Sequence, residues 1–447
     1  MSVAERPVPG PPGHFLRGNL PDFRRDRLGF LTNCARQYGD VFRLRLVSRR
    51  ATVFCHPNQI EQVLVARNHE FRKHFALRIN PLVLGNGLLV SDGDFWLRQR
   101  RLAQPAFLRQ RVATYGHVVI DHTERLLGEW QDGQLRDMLP EMSRLTLGII
   151  ARALFDADIS GLESTVGNAL TVAQRNFLDR INMLVPMPLW VPTPSNLRLK
   201  RAVKQLDSIL FGLIRQRRQS SEGRGDLLSL LLQARDEFDR TGMTDRQLRD
   251  EAMTLFLAGH ETTALTLSWT WYLLATHPEA AARLQAEADA VIGERMPTVE
   301  DWPRLAFTEK VILEGMRLYP PAYVIGREPL ADVVIDGCRV RKGDTVLLPQ
   351  WVVHRDPRWF AEPERFLPER WTAELSRALP KFAYFPFGGG PRLCIGNTFA
   401  MMETVLALAT IARKFHFTVV AEHPVIPWPT FTLRPLHGIK AVLSRRK

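Results

Sequence analysis

A chain of 447 residues with 45% hydrophobic and 24% charged content can bury a sizeable core, and this composition excludes a disordered or fibrous protein. Its 60 Lys and Arg against 47 Asp and Glu leave a formal charge of +13, a positive field that suits solubility or an acidic protein partner; no basic patch interleaved with aromatics and no zinc-finger spacing supports a nucleic-acid role. Four widely separated cysteines, Cys34, Cys55, Cys338 and Cys394, exclude a disulfide framework and paired metal spacing.

The start, MSVAERPVPGPPGHF, has no apolar stretch long enough to span a bilayer and no signal-peptide core, so the expectation is a cytoplasmic protein with no transmembrane anchor. Residues 1–14 read as a proline-rich lead, and the absence of linkers and fixed-period repeats makes 1–447 one folding unit. Leu28 to Tyr38 has helical spacing, and Val41 to Phe54 alternates as a hairpin. Helical periodicity then dominates, around 59–67, 94–108, 117–130, 141–155, 162–183, 197–217, 245–275 and 278–292. The PMPLWVPTPSN stretch between two of these helices is a loop, because its four prolines continue neither. From Val333 to Leu348 short alternating segments broken at Asp336-Gly337 and Lys342-Gly343 read as hairpins. A glycine-rich turn, a helix from about Asn397 to Phe415 and terminal strands close the chain. The fold class is mainly α with small β-sheets.

The most informative string is Phe387-Gly-Gly-Gly-Pro-Arg392-Leu-Cys394-Ile-Gly396, followed at once by an apolar-periodic helix. Successive glycines allow a tight turn that brings amide N–H groups toward the sulfur, and the helix directs its positive end at an anion. Both favour thiolate. A thiolate on haem iron favours O–O cleavage, and Arg392 can pair with a propionate of the same cofactor. The second string, Ala258-Gly-His-Glu261-Thr262-Thr263, lies inside a long helix; an adjacent acid and alcohol in apolar surroundings can relay protons.

Both strings resemble the cytochrome P-450 family: Phe387, Gly390, Arg392, Cys394 and Gly396 match its haem-binding loop, and Gly259, Glu261 and Thr262 match its distal-helix motif, with His260 at the variable position. The resemblance covers nearly the whole chain and implies that family's fold, with the haem buried between distal and proximal helices and Cys394 as the axial iron ligand. It further implies that Glu261 and Thr262 manage protons. Trp96 and Arg100, one turn apart, would hold a haem propionate with Arg392, followed by Arg327 and His354. Glu314, Arg317 and Arg365 would form the structural core trio. Phe71 to Leu89, Leu255 to Ala258, Ala322 to Ile325 and Thr430 to Phe431 would line a lipophilic pocket, with Arg72, Lys73 or Arg78 available to a carboxylate.

The motifs look closer to the microsomal type than to the camphor-hydroxylating bacterial branch, so a soluble bacterial-type member fits. The expected activity is a haem-thiolate monooxygenase that takes haem b and O2 and inserts one oxygen atom into a lipophilic substrate: a fatty acid, terpenoid or steroid-like molecule. Electrons would come ultimately from NAD(P)H through a separate ferredoxin or flavodoxin with its reductase, and the enzyme would be a monomer. Arg98, Arg101, Arg109 and Arg111 would offer a basic docking surface, the alternative being a solvated helix face. Rival readings are a peroxide-using haem-thiolate enzyme, a haem-binding sensor and a haem-free structural protein.

Overall fold

A computed structural model describes residues 7–79, 81–156, 163–182, 187–219 and 226–446; the start of the PMPLWVPTPSN loop at Pro186 lies outside them. Contacts group the chain into two compact units. The first contains residues up to Phe75, Lys310–Cys394 and Ile426–Leu436, and the second contains Ala76–Glu309, Ile395–Val425 and the residues from His437 onward. Each is built from separated stretches, so linear sequence gives no linker to mark them.

The first unit carries a five-stranded sheet. Strands β1 (Val41–Leu46) and β2 (Arg49–Phe54) form the expected hairpin; β3 (Phe71–Lys73), β4 (Ile325–Pro329) and β5 (Thr345–Leu348) complete it in the order β1-β2-β5-β4-β3. The Asp336-Gly337 turn does close a hairpin between Val333–Ile335 and Cys338–Val340, and both turn residues have positive φ, 48° and 74°, as a primed turn demands. The Lys342-Gly343 turn does not close a second one. The strand after it, β5, pairs in parallel with β2 and antiparallel with β4, because its four side chains are all buried and need a partner on each side. Phe42, Leu44, Ala51, Val53 and Phe54 from the hairpin form a core with Val346 and Leu348.

The second unit is helical around one 32-residue helix, Asp245–Thr276, called the central helix below. Its start is fixed by a capping box, Thr244 with Gln247. Its end is fixed by Pro278, which holds His277 out of the helical region at φ −134°, ψ 78°. The expected helix at 94–108 stops at Ala103, and Pro105 turns the remainder into a 3₁₀ segment. The expected helix at 59–67 is likewise split, Pro57–Glu61 continuing as a π-turn over Gln62–Ala66. A three-stranded sheet, Leu135–Asp137, Lys440–Arg445 and Phe415–Val419, packs its aromatic face on Trp130, whose ring meets Phe415 and Phe417 edge-on at 5.5 and 5.7 Å. Among the described residues no helix is long and apolar enough to cross a membrane.

Candidate haem-thiolate site

In the first unit the cysteine loop is braced mainly by backbone hydrogen bonds. The Gly388 N–H donates to Phe385 O at 2.9 Å, the Leu393 N–H to Gly390 O at 3.0 Å, and the Cys394 N–H to Phe387 O at 3.0 Å. Gly390 sits at φ +65°, and a Cβ there would lie 2.0 Å from Leu64 O in the π-turn; a Cβ on Gly389 would lie 2.3 Å from the Phe382 ring. No side chain fits at either place. Gly390→Ala is therefore expected to cost about 3 kcal/mol or more from clash plus left-handed strain, read as a lower thermal midpoint by circular dichroism.

This bracing leaves Cys394 exposed, whereas Cys34, Cys55 and Cys338 are buried. Burial pushes the thiols of those three up, Cys34 to about 11, which makes them inert. Arg392, in the 3₁₀ turn Gly390–Arg392, is half-buried, and so are Phe387 and, on β4, Arg327.

Behind the loop stand two anchors. Gln350 Nε2 donates to Phe385 O at 2.6 Å, and His354 Nε2 accepts the Phe385 N–H at 3.0 Å. His354 is wholly buried, and that burial, with Arg317 and Arg355 nearby, holds its pKa well below the ordinary histidine range. This corrects the expectation of a propionate partner: a neutral imidazole with no accessible surface and its Nε2 committed to a backbone amide positions the loop instead.

Glu314 and Arg317 form the expected pair, fully buried and bidentate, at 2.8 and 2.9 Å. The third member is not Arg365. Its guanidinium pairs with exposed Glu362, and only its carbonyl accepts from Arg317, at 3.0 Å. Arg370 fills the place, donating through Nε to Glu314 at 2.9 Å, and the Trp371 indole N–H adds 3.0 Å to the other carboxylate oxygen. The sequence carries Pro-Glu-Arg twice, at 363–365 and 368–370, and the second copy was passed over. Its signal was the following Trp371, an indole suited to a buried acceptor.

In the second unit, Trp96 is buried and Arg100 half-buried on the helix Gly93–Ala103. Gly396 caps the helix Asn397–Lys414, and a Cβ there would find only the Phe107 ring, 3.9 Å away. The central helix is buried throughout from Leu248 to Trp271 except at Leu257, Ala258, Gly259 and Thr262. Ala258 and Thr262, one turn apart on the same face, make a window, whereas Gly259 faces Ile150, whose side chain would lie 3.0 Å from a Cβ there. Thr262 Oγ1 donates to Ala258 O at 2.7 Å and Thr263 Oγ1 to Gly259 O at 2.9 Å; such back-bonding competes with the helix ladder where the window lies. Glu261 and His260 are buried beside it. Glu403 on the helix Asn397–Lys414, absent from the sequence reading, is fully buried; burial raises its carboxyl well above the usual range against the opposing Thr263 hydrogen bond.

Of the basic residues expected to dock a partner, Arg98 donates to Thr241 Oγ1 at 2.6 Å, and Arg101 bonds Asp236 at 2.9 Å beneath the Phe238 ring. Both fix the 236–242 segment, while Arg109 and Arg111 stay exposed. Arg72 is paired with Glu328 at 3.0 Å, which argues against a carboxylate clamp there.

Within the first unit the donor set suits an iron porphyrin: one exposed thiol for the metal and the half-buried guanidinium groups of Arg327 and Arg392 for carboxylates. These features suit a haem-thiolate protein. The Cytochrome P450 family profile matches residues 8–439. The chain is 37% identical over 430 residues to "Cyclooctatin synthase" of Streptomyces melanosporofaciens, covering 95% of this chain and 92% of that protein. It is 34% identical to "Pentalenene oxygenase" of Streptomyces avermitilis, covering 96% and 95%. The crystal structure of the cytochrome P450DA haem domain superposes with TM-score 0.91 at 28% identity, over 99% of each chain. The chain belongs to the cytochrome P450 family and is a monooxygenase of that class, using haem and O2.

Proposed function

We propose that this enzyme inserts one oxygen atom from O2 into a terpenoid, receiving electrons from NAD(P)H through a separate ferredoxin or flavodoxin and its reductase. The observation that carries the reading is the exposed thiol of Cys394 on a loop braced by backbone hydrogen bonds, in a chain that matches the Cytochrome P450 profile over residues 8–439. The names of the two Streptomyces relatives, an oxygenase of pentalenene and a synthase of cyclooctatin, support a terpenoid over a fatty acid. So does the pairing of Arg72 with Glu328, which withdraws one cation from a carboxylate guest.

Haem, when bound, supplies the iron that takes up and activates O2. Cys394 would ligate that iron as thiolate, kept at fixed height by the Phe387 and Gly390 carbonyl bonds. Trp96, Arg100, Arg327 and Arg392 would hold the propionates through charge-assisted hydrogen bonds. Thr262 holds its hydroxyl proton on Ala258 O, and rotation about χ1 would release it toward the window while Glu261 resupplies it. The small side chain of Ala258 leaves room for the guest, and the guest excludes water.

The test is the absorption spectrum of dithionite-reduced protein under carbon monoxide, comparing wild type with Cys394→Ser. A strongly red-shifted Soret band in wild type alone is expected. Titration with cyclic terpene hydrocarbons and with long-chain fatty acids should then give spin-state shifts for the terpenes only. An unshifted band in wild type would overturn the thiolate assignment, and shifts confined to fatty acids would overturn the terpenoid one.

A further inference from the structure

Three consecutive side chains near the start of the central helix, Arg249, Asp250 and Glu251, all turn onto one short segment of the same unit. Arg249 is fully buried, and its guanidinium donates to Val83 O at 2.8 Å and Leu82 O at 3.0 Å. Its Nε also reaches Asp207 Oδ1, at 2.6 Å, on the helix Pro194–Gln219. Asp250 accepts the Asn86 N–H at 2.9 Å. Glu251, fully buried, accepts the Leu88 N–H at 2.9 Å and the Gln99 amide at 3.1 Å, the latter from the helix that carries Trp96 and Arg100.

The segment is shaped to receive them. Gly85 has φ +53°, and a Cβ there would lie 2.1 Å from the Asp250 carboxylate; one on Gly87 would lie 2.2 Å from Thr254 Oγ1. Thr254 is one turn before Ala258, so residues 85–88 lie against the central helix just short of its window. Burying an arginine and two acids is costly. A segment that needed only to be covered could be held by apolar contacts, whereas this one is held at its backbone, by register, with four main-chain groups answered by three neighbouring side chains.

We propose that Arg249, Asp250 and Glu251 form a positioning latch that sets the path of residues 82–88 beside the Ala258–Thr262 window and so limits the size of guest the window admits. The assignment of a guest rests on the monooxygenase reading; the latch itself does not. Release of the segment widens the border of the window without touching the thiol loop, so it changes binding of large ligands while leaving small ones alone.

The experiment uses the haem-loaded full chain in three forms: wild type, Glu251→Leu, which removes the acceptor for Leu88 but leaves no buried charge, and Glu251→Gln, which keeps an acceptor oxygen. Hydrogen exchange of the 84–90 amides should speed up about tenfold or more in Glu251→Leu and stay near wild type in Glu251→Gln. In the same proteins the Kd of clotrimazole, a bulky iron-binding azole, should change about tenfold in Glu251→Leu, while that of imidazole stays within about twofold. Unchanged exchange in Glu251→Leu, or imidazole and clotrimazole shifting together, would overturn the latch. If Glu251→Leu does not fold, Arg249→Lys, which shortens the fork on Leu82 and Val83, takes its place with the same expectations. A wild type lacking the red-shifted carbonmonoxy band would count against the monooxygenase reading alone, and the exchange comparison would still decide the latch.

Discussion

Arg370→Ala should sharply reduce the yield of folded, haem-loaded protein, and Arg365→Ala should leave it unchanged. Glu314 is a fully buried carboxylate that receives five hydrogen bonds, two from Arg317 and one each from Arg370, Trp371 and the Leu367 amide. The two guanidiniums are in turn spread over main-chain carbonyls, Arg317 on His354, Pro363 and Arg365, and Arg370 on Ala361, Glu362 and Arg365. Deleting Arg370 strips one cation from the carboxylate and removes the donor on Ala361 O, while Glu362 O and Arg365 O keep the Arg365 amide and Arg317 respectively. Breaking a buried network from one side costs about 3–5 kcal/mol, a large share of the stability of any domain. Arg365 projects its side chain to Glu362 at the surface, where both are more than half exposed, 63% and 55%. Only its backbone serves the network, and alanine keeps that. Thermal midpoints of the two variants, measured side by side, check the assignment; equal losses would return Arg365 to the trio.

Glu251→Gln should raise stability relative to wild type at pH 8, with the advantage shrinking toward pH 5. Burial is the first cause that pushes the Glu251 carboxyl up to about 7, with Asp250 adding to it and the Leu88 and Gln99 hydrogen bonds opposing. In the unfolded chain a glutamate titrates near about 4.3. Between those values the folded state binds a proton that the unfolded state has lost, so wild-type stability falls as pH rises from about 4.3 to 7 and is level above. The difference of roughly 2.7 pKa units corresponds to about 3.7 kcal/mol at most. Glutamine does not ionise and avoids that loss. Its amide nitrogen meets the Gln99 amide donor, a mismatch that lowers both arms of the comparison equally. The measurement is the variant-minus-wild-type difference in thermal midpoint at the two pH values; a constant difference would show that Glu251 does not titrate in this range.

What could be read from sequence was local. The glycine run marks a turn, and the central helix announces itself by a capping threonine before it and a proline beyond it, so the turn that carries Cys394 and the helix that carries Glu261 and Thr262 were legible on their own strings, whereas the Leu64 carbonyl that excludes a side chain at Gly390 was not. Arg370 was not, because Pro-Glu-Arg occurs twice and only tertiary burial separates the copies. His354 was misassigned for a similar reason: its neighbours in the chain do not reveal that Phe385 occupies its ring nitrogen. The pairing of β5 with β2 and β4 joins residues about 290 apart and 20 apart respectively, and alternation alone cannot choose between a local hairpin and such a sheet. The run Arg249-Asp250-Glu251 looks like a solvated patch on a helix, since charges are seldom buried; only the fold reveals the backbone amides and carbonyls that accept them.

The contact between Gly390 and the Leu64 carbonyl has a consequence for how this enzyme can diversify. The cysteine loop is seated against the Leu64 main-chain carbonyl on one side and held on the other by the His354 and Gln350 side chains at the Phe385 amide and carbonyl, so its shape depends on few of its neighbours' side chains. Random substitution can therefore redraw the walls around a guest over many generations while the sulfur stays where it is, provided three glycines, one histidine and one glutamine survive. An engineer seeking new substrates would do well to leave those five fixed and to shuffle everything around the window instead.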